Sequence, residues 1–155
     1  MLTLSKKAQA MPASPIRKLV PYADAAKKRG VKVYHLNIGQ PDIESSPQAL
    51  EAVKKADLKV IEYSNSAGNL SYREGLVKYY ESVGINIEVA DLIVTSSGIE
   101  AVQFALAVTC DPGDEVIVME PFYTNYNAFA VQNDVTLVPI SCDIKEGFKL
   151  PAIED

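Results

Sequence analysis

Apolar residues recur along this chain in short bursts, each closed by Gly, Pro or a run of small polar residues. Tyr72, Leu76, Tyr79 and Val83 stand at i, i+4, i+7 and i+11, the spacing of one helical face. They predict a helix from about Leu70 to Ser82 that Gly84 ends. Ser46-Pro47 reads as N-cap and first helical residue of a second helix, running to about Ala56 with Leu50 and Val53 inward. Tyr22 to Arg29 reads as a short helix stopped by Gly30. From Ile99 to Thr109 the chain is apolar nearly all round, which predicts a helix buried on most sides. Leu92–Thr95, Glu115–Met119 and Val135–Ile140 are short buried strands, and Val31–Asn37 is a further β-rich run. Thr124–Gln132 reads as a helix between the last two strands, and Asp111–Asp114 as a tight turn. Strands alternating with helices predict an α/β fold with βαβ units and a right-handed crossover.

Residues 1–15 show no sustained period and read as an arm, with Ser14-Pro15 capping a short turn. Leu150–Asp155 reads as the first turn of a helix, too short to stand alone. That ending points to a piece of a longer polypeptide.

The 155 residues carry a net charge of −5, and the one basic run is Lys27-Lys28-Arg29. Phosphate-backbone binding needs a basic face, so nucleic acid is not an expected partner. Cys110 and Cys142, 32 positions apart, form no disulfide framework and no metal-type pair. The single histidine, His35, leaves little for imidazole metal chemistry or a Ser-His-Asp site. No secretory h-region and no membrane-length apolar run is read, so the expected location is the cytoplasm.

The strongest local candidate for chemistry is Val94-Thr95-Ser96-Ser97-Gly98-Ile99. An extended apolar run passes through three small residues into an apolar helix. First-turn helix amides lack intrahelical partners and carry partial positive charge, so small residues there suit an approaching anion. The same residues also suit a plain strand-to-helix turn with serine caps, and both readings stand at this point. Tyr123 follows the second strand, on the side where open α/β sheets place their sites. It reads either as a ring-stacking residue or as a rim aromatic packed on the core. No GxxxxGK[ST] or GxGxxG sequence occurs.

Several segments, in order, resemble the N-terminal part of the class I/II aminotransferases, the aspartate aminotransferase-like group of fold type I pyridoxal-phosphate enzymes. They are Leu36-Asn37-Ile38-Gly39-Gln40-Pro41-Asp42, the Tyr63…Gly68…Arg73 spacing, Val94–Ala101, Asp111–Val116 and Pro121-Phe122-Tyr123. The resemblance covers nearly the whole chain. It implies a partial pyridoxal-phosphate transferase fold, with an N-terminal arm and small-domain segment over 1–45 and an incomplete large, cofactor-binding domain over 46–155. It implies that the amides of Ser97, Gly98 and Ile99 hold the phosphate of pyridoxal 5'-phosphate and that Tyr123 stacks on its ring. By the same resemblance, Gly39 is expected to offer its N–H to the substrate carboxylate, and Tyr63 to reach the phosphate of a neighbouring subunit, which implies a homodimer. Arg73 reads as structural.

The resemblance also implies what this stretch lacks. The family's Schiff-base lysine lies in a later Ser-x-Ser-Lys-like stretch, and none of the 12 lysines here stands in that context. From Tyr79 to Asp143 there is no lysine at all. No residue here is therefore assigned a catalytic role, and none a metal-binding one. The expectation is the N-terminal portion of an enzyme moving an amino group between an amino acid and a 2-oxo acid, inactive by itself. A lyase or synthase on the same scaffold, or a non-catalytic ligand-sensing domain, are the alternatives. Sequence-local rules pair Leu92–Thr95 with Glu115–Met119. The family instead separates those strands and fills the gap with four later ones.

Overall fold

The computed structural model describes residues 2–153. In chain order the helices and strands are α1 (Lys6–Ala10), α2 (Val20–Lys28), α3 (Pro47–Lys54), α4 (Leu70–Ser82), α5 (Gly98–Thr109), β1 (Glu115–Glu120), α6 (Tyr126–Asn133) and β2 (Thr136–Ser141). Contacts divide the chain into two units. One holds the residues up to Ile38 together with those from Ile99 onward; the other is Gly39–Gly98.

In the first unit, β1 and β2 lie parallel, with Glu115 opposite Thr136 and Glu120 opposite Ser141. α6 connects them, so this is the expected βαβ unit. Thr136 N donates to Asp114 O at 2.8 Å and Cys142 N to Glu120 O at 3.3 Å. By alternation, the even-numbered residues of β2 bond to β1 and the odd-numbered ones face the other edge. Pro139 is odd-numbered, so its missing N–H costs the ladder nothing. The turn into β1 closes through Asp114 N→Asp111 O at 3.1 Å, with the Asp114 carboxylate accepting from Asp111 N. Among the described residues, the buried hydrophobic ones are Phe129, Ala130 and Val135, at the seam of α6 and β2.

α1 was not expected in an arm without period. Ser5 caps it, its hydroxyl accepting from Ala8 N at 3.1 Å. Lys7 Nζ donates to Gln132 O at 3.0 Å and pairs with the Asp134 carboxylate, which docks α1 on the end of α6. Asp134 is the left-handed cap of α6, with φ 55°. Ser14 accepts from Arg17 N at 3.2 Å, so the Ser14-Pro15 turn forms as expected. α2 ends on Arg29, followed by Gly30 at φ 78°.

Two expectations in these segments need correction. Val31–Asn37 forms no strand; its backbone has no ladder among the described residues. α5 forms where expected but has no buried residue, and Val108 is 81% exposed. Its largely apolar surface, broken by Glu100 and Gln103, identifies a helix made to be covered, while periodicity carries no information about which elements do the covering.

In the Gly39–Gly98 unit, α3 is capped by Ser46, whose hydroxyl accepts from Ala49 N at 3.4 Å. Leu50 and Val53 were expected inward and are exposed, since nothing in this unit packs on that face. α4 runs over the expected residues; Leu76 is half-buried, whereas Tyr72 and Tyr79 stay largely open. Leu92–Thr95 is not a strand. Leu92 is extended, with φ −106° and ψ 126°, but no strand pairs with the segment, and Val94 N donates instead to Ala67 O at 2.9 Å. Extended backbone becomes a strand only when a neighbour supplies the ladder. The local pairing with β1 is not seen: among the described residues the sheet consists of β1 and β2. The expected helix turn at Leu150–Asp155 lies partly outside the described residues; up to Ile153 it is not helical.

Candidate functional site

The turn that opens α5 is built from inside the Gly39–Gly98 unit. Thr95 Oγ1 donates to Ser97 O at 2.8 Å. In a trans peptide the carbonyl and the next N–H point opposite ways, so this bond turns the Gly98 amide away from Thr95. A Cβ built on Gly98 would meet nothing within 4 Å. Ser97, Gly98 and Ile99 are all exposed. α5 is twelve residues long counting Gly98 and Ile99, enough to place a partial positive charge at this end. Glu100 in the first turn sets a carboxylate beside that charge.

A second loop braces this turn. Gly68 adopts φ 96°, and a Cβ there would lie 2.5 Å from Val94 Cβ. Only glycine accommodates both the backbone angle and that approach. Gly68 N donates to Asn65 O at 2.8 Å, and the Asn65 side chain accepts from Ala67 N at 2.9 Å, so the loop is held by its own polar groups. Arg73 Nε donates to Gly68 O at 3.2 Å and Nη1 to Val89 O at 3.1 Å. Ser64, Asn65, Ser66, Tyr72, Val94 and Thr95 are among the residues lining a shallow cleft between loop and turn.

Tyr123 belongs to the other unit, just past the carboxyl end of β1. The Glu120–Pro121 peptide is cis. Tyr126 sits at the centre of an aromatic group. It is edge-on to Tyr123 with centroids 5.8 Å apart, stacked on Phe122 at 6.3 Å and tilted to Phe129 at 6.0 Å. Asn125 Nδ2 donates to Tyr123 Oη at 2.7 Å. Tyr123 is thus held by Tyr126 and through its hydroxyl while 47% of its surface stays open.

Tyr63 and Gly39 lie in the Gly39–Gly98 unit. Tyr63 is fully exposed, at 106%. A Cβ on Gly39 would meet nothing within 4 Å. The structure thus makes Ser97, Gly98 and Ile99 one continuous feature and leaves Tyr63 and Gly39 open. Sequence reasoning included Thr95 in the candidate turn without giving it a role, and missed Asn125; both act through single hydrogen bonds that leave no periodic trace. Among the described residues, no group of three or more His, Cys, Asp or Glu is placed to hold a metal ion. Among the described residues, no helix is long and apolar enough to cross a membrane. Cys110 and Cys142 are both free and half-buried.

The family model for aminotransferase class I and II matches residues 31–152. The chain belongs to this family. An aspartate aminotransferase of Pinus pinaster is 32% identical over 96% of this chain and 31% of its own length. The solved aspartate aminotransferase of Thermus thermophilus with maleate is 29% identical, with a TM-score of 0.86 over 99% of this chain and 41% of that one. That of Thermotoga maritima gives a TM-score of 0.84 at 28% identity, over 97% of this chain and 40% of that one. This aminotransferase chain therefore has the N-terminal part of the fold type I architecture and spans about two-fifths of those structures.

Proposed function

We propose that this chain is the N-terminal portion of an aminotransferase that moves an amino group between an amino acid and a 2-oxo acid, with pyridoxal 5'-phosphate as cofactor. The observation that carries the reading is the opening of α5, where an unshielded glycine at a helix start follows a turn set by the Thr95–Ser97 bond. Each unit by itself holds residues that fit a part of the group: a phosphate meets no Cβ at Gly98 in one, and in the other a planar ring has the open Tyr123 side chain to stack on.

When bound, pyridoxal phosphate supplies an electron sink for an amino acid's Cα electrons. The chain's own residues bind and orient. The amides of Ser97, Gly98 and Ile99 hold the phosphate, with the helix dipole adding to their hydrogen bonds. Tyr123 stacks on the ring, its rotation restrained by Asn125 and Tyr126. Gly39 offers its N–H to the substrate carboxylate, unscreened by a side chain. Tyr63 reaches the phosphate held by a second copy in a cytoplasmic homodimer. In this reading residues 1–45 supply the arm and a small-domain segment, and 46–155 part of the large domain. The 155 residues alone are inactive, because no lysine among them stands where the cofactor's covalent partner belongs.

The test is amino transfer by the protein expressed from its complete reading frame, with pyridoxal phosphate, a panel of amino acids and a 2-oxo acid. Transfer that is lost in Gly98→Asp, which sets a carboxylate in the cradle, supports the reading. Elimination or condensation without transfer selects the lyase or synthase, and cofactor binding without turnover the sensing domain.

A further inference from the structure

We propose that Arg73 is a positioning residue for the phosphate-binding turn, acting through Gly68 and Val94. The inference rests on the functional reading above and adds to it a residue that never touches the cofactor.

Arg73 is half-buried on α4 and spends its donors on two backbone carbonyls, Gly68 O and Val89 O. One lies in the loop before α4, the other in the 3₁₀ turn before Leu92. The guanidinium is planar and its donors stand at fixed angles, so one side chain sets the separation of both segments. A lysine, with a single rotating ammonium on a flexible stem, does not reproduce that fork.

What this spacing controls is the seat of Val94. The Gly68 backbone lies so close to the Val94 side chain that even a methyl group would overlap it. Ala67 O, one residue earlier, takes the Val94 N–H. Two consecutive loop residues therefore grip Val94, one by contact and one by hydrogen bond. Val94 leads directly into Thr95, whose hydroxyl orients the Ser97 carbonyl and hence the Gly98 amide. The path from Arg73 to the phosphate-binding amides is a continuous series of contacts: guanidinium, loop carbonyl, glycine backbone, Val94, Thr95, Ser97. If the fork is lost, the loop moves off Val94 and the turn loses its register.

The test uses the protein expressed from its complete reading frame, in its Arg73→Lys, Arg73→Met and Val94→Ala variants. Val94→Ala opens the contact beneath Gly68 while leaving Arg73 in place. Dissociation constants are measured for pyridoxal phosphate and for pyridoxal, which lacks the phosphate, well below each variant's unfolding midpoint. A positioning role predicts that Arg73→Lys weakens pyridoxal phosphate about tenfold, the equivalent of one hydrogen bond, and pyridoxal less than about twofold. Val94→Ala should weaken pyridoxal phosphate about threefold with the same selectivity. A role confined to stability would lower the midpoint and leave the ratio of the two constants unchanged, and that result overturns the proposal. Should Arg73→Met fail to fold, Arg73→Lys, which keeps the charge but not the planar fork, decides. A wild-type protein that binds both compounds equally would instead overturn the functional reading itself.

Discussion

The side-chain amide of Asn125 donates to the hydroxyl of Tyr123, two residues before it, at 2.7 Å. The contact fixes the tilt of an exposed ring that would otherwise rotate, and leaves the hydroxyl proton pointing elsewhere. Asn125→Ala should free the ring and weaken pyridoxal phosphate binding in the full-length protein by about 2–10-fold, the range of one neutral hydrogen bond. Asn125→Asp, which can still bond the hydroxyl, should lose less. A fluorescence titration with the cofactor checks both, and equal affinity in Asn125→Ala and the wild type would contradict the role.

Two glycines should respond oppositely to the same substitution. Gly68→Ala must accommodate a methyl 2.5 Å from Val94 Cβ at φ 96°. Left-handed backbone costs about 1–2 kcal/mol and overpacking about 1–3 kcal/mol more. Gly75, inside α4, has nothing within 4 Å of its would-be Cβ. Gly75→Ala should therefore stabilise by about 0.5–1 kcal/mol through helix propensity. Urea midpoints of the two variants should move in opposite directions.

α1 is five residues long, too short to persist in water unaided. Its docking rests on Lys7 bonding to Gln132 O and Asp134. Asp134→Asn keeps a residue tolerant of the left-handed cap and removes the charge. Amide exchange in residues 6–10 should then speed several-fold while α6 is unaffected, and high salt should reproduce part of the effect. Unchanged exchange would mean that the arm is held by its apolar contacts alone.

The 155-residue chain mixed with pyridoxal phosphate and reduced with borohydride should show no preferred modification. Its 12 lysines leave Tyr79–Asp143 empty, the span that holds the opening of α5 and Tyr123. Peptide mapping should find low, scattered labelling. One stoichiometric adduct at a single lysine would contradict the assignment of the covalent lysine to residues outside this chain.

What the sequence made legible follows the range of the interactions. Helix ends at Ser46, Gly30 and Gly84 are encoded by caps and stops within one turn, and they stand where the residues say. The βαβ unit was readable because a tight turn and a short helix allow little else. α1 was not, since its anchor Asp134 lies 127 residues away. Leu92–Thr95 has a strand's composition but no partner strand, and Leu50 and Val53 mark an apolar face without naming its cover. For the site, the small-residue turn at Ser96–Gly98 and the position of Tyr123 were visible as patterns. The roles of Thr95 and Asn125 were not, because a single side-chain bond depends on orientation and leaves no spacing to detect.

Pro139 gives the sheet a direction of growth. Its ring faces the outer edge of β2, where an added strand would find a missing donor midway along. On the other side, Glu115, Ile117 and Met119 present an unbroken row of backbone donors and acceptors along β1. Any further strand, from this polypeptide or another, is steered to β1, so a single imino acid determines on which flank this domain can be extended and which stays its boundary.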